Sequence, residues 1–365
     1  MGMLRIMLAM SVLLSHLPPA TFKFMSGALG VQGFFIVSGF YMALILDGKY
    51  KDVGLFCTNR LLRLFPTYVV MMAIAAVALF AFNLTATFTR DGMVAAYQNP
   101  LTAIFYVAEN GFILGQDLLY WFKLGPDGAL LFDPTGAPPT EALPAAWQPL
   151  LVPQSWSLSI ELMFYAMAPL LARASTRTLI LVALASIALR FAGHLLPVDY
   201  PLWQGRFFPT ALFLFVFGML AHRALPLAEK LPRTIGWAGA GLLFALIAFL
   251  PLADLPREAA AWLVYLAIAA AIPFIFAAFQ YFSFDRWIGD LSYPIYLSHL
   301  IVIAAVLTYE PPQPVLVAIV GTFALSALLL VLVDRPVDRW RQARAERAGR
   351  PITGPESDNQ APASA

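Results

Sequence analysis

Charge is scarce in this sequence. Asp, Glu, Lys and Arg together fill 12% of its 365 positions, against roughly 25% in an average soluble domain. A net charge of +2 gives no basic surface of the kind that nucleic acid requires. The single cysteine, Cys57, excludes a disulfide framework, an iron–sulfur cluster and a thiolate zinc site. It lies among polar residues between two apolar segments and reads as an inert thiol. The four histidines (His16, His194, His222 and His299) are scattered and form no metal-ligand spacing. HExxH, GxxxxGK[ST] and GxSxG are all absent, as is a GxGxxG opening a helix, which removes the common metallopeptidase, nucleotide and serine-hydrolase signatures.

What the sequence has instead is apolar length. Hydrophobic residues make up 60% of it, and they gather in runs of the ~17–25 residues that cross a bilayer as helix. The expected class is an all-α integral membrane protein of about ten spans, near 3–19, 29–46, 61–83, 154–172, 177–195, 207–222, 233–252, 259–280, 288–308 and 313–333. The first run shows no small-residue cleavage site and stops at Pro18–Pro19, so it is expected to be an uncleaved span. The stretch "LTAIFYVAENGFILGQDLLYWF", residues 101–122, is apolar but contains Glu109, Asn110, Gln116 and Asp117.

Basic residues set the orientation, because Lys and Arg accumulate in cytoplasmic loops. If 101–122 does not cross, Arg5, Lys49, Lys51, Arg60, Arg63, Arg173, Arg177, Arg223, Lys230, Arg233 and Arg286 share one side with the basic tail from Arg335 to Arg350. Lys23, Arg90, Lys123, Arg190, Arg206 and Arg257 remain on or towards the other side. Both termini are then cytoplasmic, and 84–153 is one long extracytoplasmic segment in which 101–122 is re-entrant or interfacial. Residues 1–336 form one membrane domain, and 337–365 a basic and then disordered cytoplasmic tail. No internal repeat and no second domain is evident.

Ionisable groups inside spans mark function, since each is costly in lipid unless paired or facing a wet cavity. In "MLRIMLAMSVLLSHLPPA" Arg5 and His16 are eleven residues apart, about three full turns, so both project from one helix face some ~16 Å apart. Arg60 and Arg63 in "FCTNRLLRLFPTY" are neighbours at i and i+3. Two guanidiniums at an inner mouth suit phosphate oxygens, although topological anchoring explains the spacing as well. In "QSWSLSIELMFYAMAPLL", Ser157 and Glu161 share a face, and Glu161 requires an arginine, a histidine or a hydroxyl; a structural ion pair is the plain alternative. "GDLSYPIYLSHLIV" sets His299 in mid-span near Ser292 and Ser298, where a hydrogen bond to a neighbouring serine or backbone carbonyl is the favoured reading.

Taken in order, these stretches resemble the acyltransferase-3 family of integral-membrane O-acyltransferases. "LRIMLAMSVLLSH" resembles its first helix with the arginine–histidine separation, and "GALGVQGFFIVSGFYMAL" its second. "NRLLRLFPTY" resembles its RxxR segment, "SWSLSIELMFY" and "LSYPIYLSHL" its later signatures, and "VDRP" its closing element. The similarity runs from residue 4 to about 336, with a short N-terminal lead and no SGNH-type esterase domain expected. The resemblance implies transfer of an acyl group, commonly acetyl, from acyl-CoA as co-substrate to a hydroxyl of a sugar or glycolipid, with no bound cofactor or metal. It implies a bacterial cytoplasmic membrane.

Carried onto this chain, the resemblance implies His16 as general base and Glu161 as orienting carboxylate. Arg5, Arg60 and Arg63 bind the donor, with Arg5 able to hold a phosphate or polarise the thioester oxygen and to keep His16 neutral. Ser157 and His299 are cavity-lining candidates. A polytopic transporter or flippase relaying protons through Arg5, His16 and Glu161 is the rival reading; it explains buried charge but not the ordered signatures.

Overall fold

A backbone surrounded by lipid must satisfy its own hydrogen bonds, so each apolar run is expected to wind as helix. The computed structural model describes residues 1–18, 22–48, 52–85, 87 and 89–347. In chain order the helices are α1 (Gly2–Ser15), α2 (Gly27–Gly48), α3 (Val53–Phe82), α4 (Arg90–Ala96), α5 (Pro100–Phe112), α6 (Trp156–Ala172), α7 (Thr176–Ala192), α8 (Tyr200–Gly205), α9 (Phe208–Arg223) and α10 (Leu225–Ala228). They continue with α11 (Arg233–Phe249), α12 (Arg257–Phe279), α13 (Ser283–Asp290), α14 (Ser292–Tyr309), α15 (Pro314–Leu329) and α16 (Arg335–Arg347). Among the described residues, nine helical stretches are long and apolar enough to cross a membrane. This is an all-α integral membrane protein. Expectations placed on Pro19, Lys49, Lys51, Arg350 and the tail from 351 lie outside the described residues.

Three boundaries differ from expectation. The first span, expected over 3–19, is a 14-residue helix that ends at Ser15 with His16 as its C-cap. It is about 21 Å long at 1.5 Å per residue, short of a ~30 Å hydrocarbon layer. The third span begins earlier than position 61. Asp52 caps α3 by accepting from the Leu55 amide at 3.1 Å, so Arg60 and Arg63 sit within a helix. The last span does not stop at 333: α15 passes through a π-helical turn, Leu330–Asp334, into α16, which packs against α3.

At the centre, α2 packs against α1, α6, α9 and α12. Its contact with α9 is backbone to backbone. A Cβ on Gly39 would stand 1.9 Å from the Phe215 carbonyl oxygen, and one on Gly218 would stand 1.9 Å from that of Ile36. Glycine is required at both positions for this approach, which is how helices gain van der Waals contact in lipid, where no hydrophobic drive joins them.

The 84–153 segment forms one end of the bundle, called the outer end below. It contains α4, α5 and a hairpin of β1 (Phe122–Leu124) and β2 (Leu130–Phe132), tied by a Lys123–Asp133 ion pair of 2.6 Å. The stretch 101–122 forms no single continuous helix. α5 spans 13 residues, reverses at Ile113 (φ 67°) and Gly115 (φ 103°), and is followed by a 3-10 turn, Leu118–Trp121. Its amphipathicity is inverted: Leu101, Ile104 and Val107 are exposed, while Thr102, Tyr106, Glu109 and Asn110 are buried. An apolar stripe outside and a polar one inside is the pattern of a helix lying along the lipid interface.

Candidate active site

His16 stands at the outer mouth, where α1 ends. Its side chain is exposed, and its Nδ1 lies 2.9 Å from the Val12 carbonyl oxygen. A carbonyl only accepts, so Nδ1 carries the proton, and the Nε2 lone pair is left for other chemistry. The ring packs on His299, with centroids 5.1 Å apart. His299 is fully buried and repeats the same arrangement: its Nδ1 donates to the Tyr296 carbonyl at 2.7 Å, and its Nε2 has no hydrogen-bond partner. Two imidazoles from α1 and α14 are thus fixed in one tautomer by their own helices.

A polar column runs inward from this pair. The Tyr296 hydroxyl donates to the Gln154 carbonyl at 2.6 Å and accepts from Ser157, also at 2.6 Å. The Gln154 amide donates to the Leu297 carbonyl at 2.6 Å, joining α14 to the turn before α6. One helical turn below Ser157 is Glu161. Its Oε1 accepts from Ser38 of α2 at 2.7 Å and from the Tyr165 hydroxyl. Among the described residues Glu161 forms no ion pair, so the structural ion-pair alternative is not what holds it. Its neighbours are the hydroxyls of Ser38 and Tyr165.

The inner end collects the three arginines expected there. Arg5 faces Asp290 at 4.0 Å, and Arg63 faces Asp338 at 3.9 Å. Asp338 also pairs with Arg341 at 2.9 Å, and Asp334 bonds to the Thr67 hydroxyl. Arg60 is 7% exposed on the same helix as Arg63. The first residues of α1 are fixed here too, since Asp285 accepts from the Met1 amine at 2.7 Å and from the amides of Gly2 and Met3.

Sequence reasoning paired Arg5 with His16 and left Glu161 between arginine, histidine and hydroxyl partners. The fold places Arg5 at one end of α1 and His16 at the other. The positive charges acting on the imidazole are those of Arg206 and Lys23. Arg206 was missed. Its guanidinium carbon lies 3.5 Å from the Tyr120 ring centroid and 4.3 Å from that of Trp156, close enough for strong cation–π attraction. The one signal that could have exposed it is its placement among the few basic residues outside the cytoplasmic set, next to an aromatic pair, Phe207–Phe208.

The outer segment is anchored to this region by a second network. The Ser159 hydroxyl donates to Asp117 at 2.6 Å and accepts from the Gly115 amide at 2.8 Å. The Gln116 amide donates to the Glu109 carbonyl at 2.7 Å, and its oxygen accepts from Ser155 at 2.5 Å. Burial pushes the Glu109 carboxyl up to about 7, with the charge of Asp117 adding to it, and burial pushes Asp117 up to about 6. Among the described residues no group of three or more His, Cys, Asp or Glu is placed to hold a metal ion.

With the geometry in hand, comparison with known proteins gives a consistent result. A family model described as "Acyltransferase domain" matches residues 1–333. The chain is 26% identical over 340 residues to the exopolysaccharide production protein ExoZ of Rhizobium meliloti (strain 1021), covering 89% of this chain and 94% of that one. It is 27% identical over 150 residues to a Staphylococcus aureus (strain COL) protein named "Putative O-acetyltransferase", covering 40% of this chain. The matched region spans 20% of the length of that staphylococcal relative. No solved structure matches.

Proposed function

We propose, from the premise that this chain belongs to the acyltransferase-3 family, that it is a membrane O-acyltransferase. It moves an acyl group, acetyl in the first instance, from acyl-CoA to a hydroxyl of a sugar or glycolipid, in a bacterial cytoplasmic membrane. The observation that carries the proposal is the state of His16: Nδ1–H is fixed on the Val12 carbonyl, so Nε2 presents a lone pair at the mouth of a polar column. A general base needs a free lone pair and a pKa near neutrality, and imidazole has both.

In this reading Arg5, Arg60 and Arg63 hold the phosphates of the donor at the inner end, where acyl-CoA is made. Planar guanidiniums suit phosphate through bidentate contacts. Glu161, with Ser38 and Tyr165, lines the path from the arginines towards His16. Ser157, Tyr296 and His299 line its outer half. At His16 the acceptor hydroxyl gives its proton to Nε2 as its oxygen attacks the acyl carbon. Collapse breaks the carbon–sulfur bond, and the departing thiolate takes the proton back. No bound cofactor enters this scheme. The name of the Rhizobium relative, an exopolysaccharide production protein, supports a polysaccharide acceptor. The transporter reading has no counterpart in the family match.

The test is release of free thiol from acetyl-CoA by purified wild type and His16→Ala in detergent, with water standing in for the acceptor. Release by wild type and none by the variant is the expected result. Equal release, or equal silence together with no binding of acetyl-CoA, overturns the proposal.

A further inference from the structure

Acyl transfer needs more than a base. As the acceptor oxygen attacks, the carbonyl oxygen acquires a full negative charge, and a donor aimed at that oxygen is commonly the largest single source of rate. Arg5 cannot supply it at His16, because eleven residues of helix separate the two, about 16 Å along the axis. His299 is fixed in the wrong sense: its proton is on Nδ1 and directed at the Tyr296 carbonyl.

We propose that Arg206 is the oxyanion donor of this site. The inference rests on the acyltransferase reading and adds a residue to it. Four observations converge. Its guanidinium is clamped over two rings, Tyr120 from the outer segment and Trp156 at the start of α6, so the fork is oriented before substrate arrives. Its Nη1 is buried and has no hydrogen-bond partner, although a buried charged donor left unmet is destabilising. None of the described carboxylates pairs with it. It stands beside the segment that reaches the imidazole pair, since Trp156 under its guanidinium adjoins Ser157, the partner of Tyr296.

The connection to His16 is short: Trp156 precedes Ser157, Ser157 binds Tyr296, and the Tyr296 ring packs 5.9 Å from His299 and thence against His16. Arg190 provides the contrast. It is 1% exposed, and its two terminal nitrogens donate to Gln204 and Tyr265, so it is an internal brace with no face to offer a substrate.

The electron count closes without a further reactant. The acceptor O–H proton moves to Nε2 of His16, a carbon–oxygen bond forms at the acyl carbon, and the carbonyl π pair moves onto the oxygen facing Arg206. That pair returns, the carbon–sulfur bond breaks, and the thiolate receives the proton from His16. Arg206 is unchanged throughout.

The experiment compares thiol release from acetyl-CoA by wild type, H16A, R206Q, R206K and K23A, each checked for folded, monodisperse protein. Removing an oxyanion donor is expected to lower kcat by about 10²–10³-fold while KM for acetyl-CoA stays within about twofold, the signature of an interaction made only in the transition state. R206K is expected to recover part of the loss, because the ammonium keeps the charge without the oriented fork. K23A removes an equal charge from the same mouth and is expected to retain wild-type kcat. A rise in KM with kcat unchanged would assign Arg206 to ground-state binding and overturn the proposal. So would equal losses in R206Q and K23A, or R206Q protein that is less stable but fully active when folded. Should R206Q fail to accumulate, R206K with wild-type kcat overturns it by itself. Release by wild type with R206Q unaffected sinks this inference alone, whereas no release by wild type sinks the acyltransferase reading beneath it.

Discussion

The two ends of the polar column treat positive charge in opposite ways. At the inner end Arg5, Arg63, Arg341 and the Met1 amine each face a carboxylate, from Asp290, Asp338 or Asp285. Around His16 the outer cations, Arg206 and Lys23, have no carboxylate partner among the described residues, and the imidazoles are tied to backbone carbonyls. The inner end is neutralised in advance, so an arriving phosphate must exchange with carboxylates already in place. The outer end keeps the guanidinium of Arg206 clear of any carboxylate among the described residues, suited to charge that appears only during reaction. One region is built for exchange between stable partners and the other for a transient one.

The strongest way to break this comparison is at His16. His16→Ala is expected to lower thiol release from acetyl-CoA by at least about 10³-fold if the general base is also the anchor of the acceptor, with folded protein retained because the side chain is exposed. At the inner end, Arg60→Ala or Arg63→Ala is expected to raise KM for the donor by about tenfold to a hundredfold, the worth of one or two charge-assisted hydrogen bonds; unchanged KM would return both residues to a purely topological role. Glu161→Gln is expected to reduce kcat by about tenfold, and the variant should fold normally because no ion pair is lost. Asp338→Asn sharpens the comparison most directly. Freeing Arg63 and Arg341 from their carboxylate should lower donor KM by a few-fold, roughly what a partly exposed ion pair is worth, and a rise in KM would show that Asp338 orients the arginines instead.

The smallest effect concerns the outer segment and pH. The Glu109 carboxyl is raised to about 7 in the folded state and Asp117 to about 6. A carboxyl whose folded pKa exceeds its unfolded one binds the extra proton when folded. Its stabilisation is therefore complete below the ordinary carboxylate range and declines as pH rises through about 6 to 7. Hydrogen exchange of α5 and the 113–117 turn should accelerate between pH 6 and pH 8 more than that of α2 or α9, and Glu109→Gln should flatten the difference.

The helices were legible because apolar length is a one-dimensional property, and the basic residues argued for 101–122 as a re-entrant or interfacial piece. The end of α1 was less legible: a run that continues in composition to Leu17 stops winding at Ser15. At the site, the Glu161–Tyr165 bond is an i, i+4 relation readable from sequence, whereas its Ser38 partner lies 123 positions away. The His16–His299 contact and the seating of Arg206 on Tyr120 and Trp156 involve five distant segments. Nothing local in any of them reports the others, so the only trace of Arg206 was its place among the few outer basic residues, beside Phe207 and Phe208.

The π-helical turn at Leu330–Asp334 gives the inner end an unusual tolerance. A π turn is in effect one residue inserted into a regular helix. Deleting one of its apolar residues would restore uniform winding, leave the apolar length almost intact and preserve every arginine. Because the wider turn has already absorbed the extra residue, α16 would keep nearly the same facing, with Asp338 and Arg341 still on the α3 side. A single deletion within this stretch is therefore expected to be tolerated, whereas one in the regular helix on either side swings α16 by about 100° and is not.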